Sequence, residues 1–218
     1  MIELHGPEYP NASGGIPKQL IVFLHGLGAD GNDLISLASD FAEVLPEAYF
    51  VSPHAPFPCD MAPSGYQWFS LRNWSLDSLR QGAAEAVPIL ERYIAHQLKK
   101  HSLTENDLAF VGFSQGTMTS LYYSLVYKQP SCRGVLGYSG AFVGDRLQDF
   151  SNSPAPKICL IHGTLDMVVP YQAMLQAKAT LEAAATLLET HSRPGLGHGI
   201  DLEGIEIGKR FLQKLFAK

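Results

Sequence analysis

The feature that constrains this chain most is the pentapeptide Gly112-Phe113-Ser114-Gln115-Gly116, which lies between an apolar run and a helical pattern. Residues 108–111 predict a strand, and the residues from Gln115 to Tyr127 predict a helix. A sharp turn from strand to helix leaves no room for side chains beside the serine, so glycine is required at the flanking positions. Such a turn presents the Ser114 hydroxyl at the carboxyl edge of a sheet, where a nucleophile has to lie.

Short apolar runs rich in Val and Ile alternate with longer helical patterns along the remainder of the chain. This alternation is typical of βα units that build a mainly parallel sheet covered on both faces. Strands are predicted at residues 19–24, 48–52, 107–112, 133–138, 157–161 and 186–192, and helices at residues 34–44, 76–100, 115–127, 171–185 and 202–216. Ser75 fits the N-cap of the second helix, and Pro88 is expected to kink or divide that helix.

Length and charge narrow the class of protein. The 218 residues are enough for one substantial core, so we predict a single α/β domain spanning residues 1–218. The net charge of −5 provides no basic field for a polyanion, which argues against a nucleic-acid partner. The three cysteines lack metal-ligand spacing, and no apolar stretch approaches the length of a membrane span. With no signal-peptide pattern, the sequence predicts a cytoplasmic protein without stable membrane insertion.

A serine nucleophile needs a base within hydrogen-bond reach and an acid that orients the base. In α/β-hydrolases these groups follow one another along the chain in the order Ser, Asp or Glu, His. Asp166 is the candidate for the acid, because it comes just after the predicted strand 157–161. Asp145 and Asp149 also follow Ser114, but they lie in a polar loop that no such strand precedes.

The predicted base is His198, which lies in a glycine-rich loop between the last predicted strand and the last predicted helix. From such a loop a side chain can reach the carboxyl edge of the sheet. His191 is the rival, but it falls within the predicted strand, and its side chain is expected to point to one face of the sheet. The sequence therefore predicts a catalytic triad of Ser114, Asp166 and His198.

Acyl transfer also requires two N–H donors that hold the oxyanion of the tetrahedral intermediate. The residue after the nucleophile, Gln115, supplies one backbone amide. The glycine-rich loop after the first predicted strand supplies the other, and Leu27 is the best candidate in that loop. His25, in the same loop, is interpreted as a structural residue that holds the turn rather than as a catalytic one.

The predicted substrate pocket draws on two apolar groups. The long loop before the second predicted helix carries an aromatic and aliphatic cluster, made of Trp68, Phe69, Leu71 and Trp74. Two interpretations stay open for this cluster: it caps the core, or it forms a covering wall over the active site, as long loops in compact domains often do. Met167 and Val168, which follow the predicted acid, are expected to line the same acyl pocket.

Phosphate and metal sites fit the sequence less well. The glycine-rich run 26–31 departs from the dinucleotide fingerprint at Gly31, and no Walker lysine follows it. None of the eight histidines pairs with another at the i, i+4 spacing of a helical zinc site. The sequence therefore predicts no nucleotide, no metal and no cofactor.

Taken together, the motifs resemble the phospholipase/carboxylesterase family of α/β-hydrolases, which includes bacterial carboxylesterases and acyl-protein thioesterases. The resemblance rests on Leu24-His25-Gly26-Leu27-Gly28, Gly112-Phe113-Ser114-Gln115-Gly116, Asp166-Met167-Val168-Val169-Pro170 and Gly197-His198, in this order. It implies the same triad, an α/β-hydrolase fold without a large cap domain, and a homodimer. One departure is that this chain reads Gln67-Trp68-Phe69-Ser70-Leu71 where many relatives have a Trp-Tyr-Asp run, so an acidic residue is lost.

Residues and resemblance together predict a serine hydrolase that cleaves carboxylic esters of short to medium acyl chains through an acyl-enzyme. The expected partner is a small-molecule or lipid ester or thioester. An acyl-protein thioesterase or lysophospholipase is the alternative within the same chemistry. A non-catalytic ligand-binding protein on a hydrolase scaffold is the alternative from another class, since a fold by itself does not prove catalysis.

Overall fold

The computed structural model describes residues 2–150, 154–183 and 187–217, and it contains a seven-stranded sheet. In chain order the strands are β1 (Glu8–Tyr9), β2 (Gln19–Leu24), β3 (Ala48–Val51), β4 (Phe57–Pro58), β5 (Tyr66–Gln67), β6 (Leu108–Phe113), β7 (Gly134–Tyr138), β8 (Lys157–Gly163) and β9 (Leu188–Arg193). The order across the large sheet is β1-β3-β2-β6-β7-β8-β9, and every neighbouring pair is parallel except β1 and β3. Strands β4 and β5 form a separate antiparallel hairpin.

Helices cover both faces of the sheet. They are α1 (Gly31–Ile35), α2 (Ala38–Ala42), α3 (Leu76–His101), α4 (Gln115–Tyr122), α5 (Gln172–Ala183) and α6 (Leu202–Phe216). Alternate residues of β2 enter two separate cores, because successive side chains of a strand point to opposite faces. Leu20, Val22 and Leu24 pack with α3, α4 and α5, whereas Ile21 and Phe23 pack with α1, α2 and α6. The predicted α/β class, with a mainly parallel central sheet covered on both faces, is confirmed.

Three helix predictions differ from the structure. The predicted helix 34–44 is two short helices, α1 and α2, and the predicted helix 115–127 changes to a π-helical turn, Tyr123–Tyr127, after α4. Pro88 does not divide α3, which runs unbroken from Leu76 to His101. Proline removes the hydrogen bond to the carbonyl of Ala84, but Ala84 is exposed, so water can replace the lost donor.

Residues 185 and 186, where the predicted helix 171–185 ends and the predicted strand 186–192 begins, lie outside the described residues. Within the described ranges, no helix is both long enough and apolar enough to cross a membrane. The parallel strands all present their carboxyl ends at one edge of the sheet, and the turns that follow β2, β6, β8 and β9 meet there. This edge carries the candidate active site.

Candidate active site

Ser114 occupies the turn between β6 and α4 in a backbone conformation that few non-glycine residues adopt, with φ 54° and ψ −116°. The flanking glycines make this turn possible, because a Cβ at Gly112 would lie 2.6 Å from the amide nitrogen of Thr117, and one at Gly116 would lie 1.8 Å from the carbonyl oxygen of Leu24. The Ser114 amide donates to the carbonyl of Tyr138 over 2.9 Å. This bond to β7 helps to hold the strained turn.

The structure brings the three predicted triad residues into one hydrogen-bonded line. His198 Nε2 lies 3.0 Å from Ser114 Oγ, and His198 Nδ1 lies 2.7 Å from Asp166 Oδ2. Asp166 reaches this line from the turn after β8, and His198 reaches it from the loop between β9 and α6. Because ionised Asp166 accepts only, His198 Nδ1 carries the proton and Nε2 accepts from the serine hydroxyl.

Asp166 is buried, and its carboxylate is held from several sides. Oδ1 accepts from the backbone amides of Val168 and Val169, each over 2.9 Å. Burial raises the pKa of Asp166, but the hydrogen bonds from His198 and the two amides outweigh burial and hold the pKa below its usual value. The carboxylate is therefore ionised at neutral pH, as an orienting acid has to be.

His162, at the end of β8, is a site residue that the sequence analysis missed. Its Nε2 lies 2.8 Å from the carbonyl oxygen of Val169 and 3.3 Å from Asp166 Oδ2. The side chain is buried, and burial lowers the pKa of His162. A neutral imidazole with its proton on Nε2 donates toward both oxygens, so His162 supports the same Asp166 oxygen that His198 contacts. Its position just before the turn that carries Asp166 is the sequence signal that could have indicated it.

The loop after β2 is held by His25, as the structural interpretation expects. Ala55 N–H donates to His25 Nε2 over 2.9 Å, so Nδ1 carries the proton and donates to the carbonyl of Gly26 over 2.7 Å. Burial lowers the pKa of His25, which keeps the ring neutral in this role. In the hydrogen bonding of the described residues, the amides of Leu27 and Gln115 have no protein acceptor. Both amides are therefore free to receive an oxyanion.

The Gln115 side chain ties the long loop before α3 to the serine turn. Its Oε1 accepts from Trp68 N over 2.8 Å, and its Nε2 donates to the carbonyl of Phe69 over 2.6 Å. The Trp68 indole N–H donates to the carbonyl of His25 over 3.0 Å. These bonds join the loop to both segments that carry the candidate oxyanion amides.

The interpretation of the aromatic cluster as a covering wall needs a correction. Trp68, Phe69 and Leu71 are buried in the core that contains α3 and α4, with Trp68 0% exposed. Their side chains therefore cap the core, because they bury their hydrophobic surface against the helices and leave almost no apolar surface exposed over the site. Trp74, by contrast, is exposed.

Met167 and Val168 lie on the turn beside Asp166, and they are 91% and 55% exposed. They form an open apolar edge next to the triad. His191 lies in β9, where its Nε2 is 3.9 Å from Glu189 Oε2, and it takes no part in the line of triad contacts. Asp145 Oδ2 lies 3.8 Å from Arg80 Nε, so this carboxylate is engaged elsewhere.

The sheet order, the strained serine turn and the Ser–His–Asp contacts together define an α/β-hydrolase. Comparison with known proteins agrees: the phospholipase/carboxylesterase family model matches residues 11–216. The chain therefore belongs to the phospholipase/carboxylesterase family, and it is a serine hydrolase of the carboxylesterase type.

Individual relatives span nearly the whole chain. Esterase YpfH of Escherichia coli K12 is 27% identical over 92% of this chain and 84% of that protein. Acyl-protein thioesterase 1 homolog 1 of Dictyostelium discoideum is 26% identical over 91% of each protein. The crystal structure of esterase PE8 is similar with a TM-score of 0.89 and 34% identity, covering 99% of this chain and 100% of that one.

Proposed function

We propose that this protein hydrolyses carboxylic esters with short to medium acyl chains, with Ser114 as nucleophile, His198 as base and Asp166 as the acid that orients the base. The observation that carries the proposal is the unbroken hydrogen-bonded line from Ser114 Oγ through His198 to Asp166. A hydroxyl alone is a poor nucleophile at neutral pH, and this line provides the base that activates it.

In acylation, Ser114 Oγ attacks the acyl carbonyl carbon while its proton moves to His198 Nε2. Ionised Asp166 stabilises the imidazolium that forms. His198 then protonates the oxygen or sulfur of the leaving group, the bond from the acyl carbon to that atom breaks, and the acyl-enzyme remains. In deacylation, water gives a proton to His198 and attacks the acyl carbon of the Ser114 ester. The bond from that carbon to Ser114 Oγ then breaks, and His198 returns the proton to Oγ, which releases the acid and restores the hydroxyl.

The amides of Leu27 and Gln115 are proposed to hold the oxyanion of each tetrahedral intermediate. Two features support this role. The Gln115 amide is at the N-terminus of α4, where backbone N–H groups lack partners within the helix. The Leu27 amide follows Gly26, whose carbonyl is fixed by His25, and a Cβ at Gly26 would lie only 3.4 Å from the Cβ of Ser114.

The buried loop supports the proposed preference for short to medium acyl chains. Trp68, Phe69 and Leu71 leave almost no side-chain surface for a long acyl chain, because they pack into the core. A second candidate function, acyl-protein thioesterase or lysophospholipase, is favoured by the exposed apolar edge of Met167 and Val168. The substrate in either case is an ester or a thioester.

The proposal also covers the location of the protein and its domain organisation. Cys59, Cys132 and Cys159 are all free thiols, which fits the reducing cytoplasm. That residues 1–218 form one domain is supported by the single large sheet, which contains strands from Glu8 to Arg193. The homodimer that the family resemblance implies stays a prediction.

The function is tested by hydrolysis of p-nitrophenyl esters from acetate to palmitate, with palmitoyl thioesters run in parallel. Ser114→Ala should lower kcat by about 10⁴-fold or more, because the triad acts as a unit, and it should abolish labelling by a fluorophosphonate. Ser39→Ala, at an exposed serine of α2, is the matched control and should keep full activity. Retained hydrolysis in Ser114→Ala would overturn the assignment, and an optimum at palmitate would favour the second candidate function.

A further inference from the structure

A small cavity lies beside Phe113, the residue before Ser114, on the face of the sheet that carries α1. Its volume is about 250 Å³, and it is lined by Leu34, Leu37, Phe113, Ile200, Asp33 and Ser36. We propose that this cavity is the leaving-group subsite, which binds the alcohol portion of the ester during acylation. The inference rests on the proposed function, because an alcohol leaves only if the triad cleaves an ester.

The position of the cavity follows from the residues that join it to the triad. Phe113 directly precedes Ser114, and its ring centroid lies 4.8 Å from that of His198. Ile200, which also lines the cavity, follows His198 by two residues. Phe113 therefore contacts the proposed base and also lines the cavity.

Proton transfer decides which part of the substrate lies there. In acylation the bond between Ser114 Oγ and the acyl carbon forms, the bond between that carbon and the alcohol oxygen breaks, and His198 gives its Nε2 proton to that oxygen. A general acid has to lie within hydrogen-bond reach of the atom that it protonates. The alcohol oxygen is thus next to His198, and a chain attached to it extends past the Phe113 ring into the cavity.

Size and charge define the class of leaving group. The volume lies just below the range of about 300–1,000 Å³ that holds drug-sized ligands, so a compact group fits and a bulky carrier does not. Asp33, exposed at the rim, disfavours anionic groups such as phosphates, because like charges repel. The structure assigns to this subsite a compact, uncharged alcohol such as butanol.

One larger cavity does not suit this role. A cavity of about 570 Å³ is lined by Tyr122, Val126 and several charged side chains. Tyr122 is at the far end of α4, about 12 Å along the helix from Ser114 at 1.5 Å per residue. An alcohol attached to the reacting carbonyl cannot place its first carbons there.

The test measures kcat/KM for n-alkyl acetates from ethyl to hexyl, which vary the alcohol while the acyl group stays fixed. For the wild-type enzyme kcat/KM should rise by up to about fourfold for each methylene that enters the cavity, the rate equivalent of its burial. Ile200→Trp and Ser36→Trp each add a large side chain to the lining of the cavity, and Ser36 is exposed, so its variant keeps the core intact. Leu202→Trp, at an exposed residue outside the cavity, is the matched control.

Filling the cavity should lower kcat/KM for butyl acetate by about 15-fold, the equivalent of two methylenes, and leave ethyl acetate within twofold (about 0.4 kcal/mol). The rate of deacylation should not change, because the alcohol has already left. Leu202→Trp should match the wild type throughout. The subsite is overturned if both filling variants keep the wild-type dependence on alcohol length, or if the wild type shows none while a fluorophosphonate still labels Ser114. Absence of both labelling and hydrolysis would instead overturn the proposed function.

Discussion

Asp166 contacts two histidines through one carboxylate oxygen. Oδ2 lies 2.7 Å from His198 Nδ1 and 3.3 Å from His162 Nε2, while Oδ1 accepts two backbone amides. With donors on both oxygens, rotation of the carboxylate would break several bonds at once, so its orientation is fixed before substrate binds. A fixed carboxylate in turn fixes the ring of His198. His162 therefore acts on His198 through Asp166, which makes it a positioning residue for the proposed reaction.

His162→Ala tests this dependence. Loss of a hydrogen bond toward a charged group costs about 1.5–3 kcal/mol, and if about half of that is expressed in the transition state, kcat/KM falls about tenfold. His162→Gln should recover most of the activity, because its amide can donate in place of Nε2. Hydrolysis of p-nitrophenyl butyrate measures the effect.

The matched control for His162 is His191→Ala, which removes a half-exposed histidine from β9 and should leave kcat/KM within twofold (about 0.4 kcal/mol) of wild type. Equal activity of wild type and His162→Ala, with both proteins folded by circular dichroism, would contradict the positioning role. Equal losses in the Ala and Gln variants would also contradict it, since a packing defect rather than a missing donor would then explain them.

At the scale of elements, the sequence predicts strands better than helix interruptions. The predicted strand 19–24 is confirmed as β2 (Gln19–Leu24), because a strand buried on both faces reads as a continuous apolar run. The predicted helix 34–44 is interrupted instead, since Ser36 Oγ donates to the carbonyl of Asp33 and competes with helical bonding. Apolar spacing does not record such local competition.

Two features of the site could not be predicted from the sequence, because they depend on contacts between segments that are distant along the chain. An apolar cluster in a long loop fits both a core cap and an exposed wall, and only the packing of Trp68 against the sheet and helices distinguishes them. The approach of His162 to Asp166 depends on the shape of one turn, which residue spacing does not give. The serine turn was predictable because its glycines, strand and helix are neighbours in the sequence, although the roles of the triad residues stay predictions.

The close approach of α4 to β2 yields a prediction about Gly116. A Cβ at this position would lie 1.8 Å from the carbonyl oxygen of Leu24 and 2.8 Å from that of His25. Backbone atoms cannot move aside as a flexible side chain can, so Gly116→Ala should lower the free energy of unfolding by about 3 kcal/mol, the upper end of typical overpacking costs. Urea denaturation followed by tryptophan fluorescence measures this change.

Gly15→Ala is the control for Gly116, because a Cβ at Gly15 has no atom within 4 Å. Its free energy of unfolding should stay within about 0.5 kcal/mol of wild type, as for most surface substitutions. If Gly116→Ala were as stable as Gly15→Ala, the tight contact between α4 and β2 would be wrong. The serine turn that depends on this contact would then need another explanation.

At the scale of the whole molecule, two buried histidines connect the site to folding stability. His25 holds the loop after β2, and His162 supports Asp166 after β8. Burial lowers the pKa of each below the ordinary value of 6.5. In the unfolded chain both rings are exposed and take up protons near that value, so the two states bind different numbers of protons in mildly acidic solution.

Acidification lowers the free energy of unfolding, because the pKa of each histidine is lower in the folded state than in the unfolded state. Above pH 6.5 both rings are neutral in both states, and their contribution to stability is fully present. Below it the unfolded state binds protons that the folded state does not, so the free energy of unfolding falls as pH falls toward the lowered folded pKa values. Each histidine should contribute a loss of about 1 kcal/mol between pH 7.5 and 5.5, which urea denaturation at the two pH values measures.

His25→Gln should remove one such contribution, whereas His96→Gln, at an exposed position of α3, should keep the wild-type loss. If His25→Gln and wild type lost equal stability on acidification, the buried neutral state of His25 would be contradicted, and with it the tautomer in which Nδ1 carries the proton and donates to the carbonyl of Gly26.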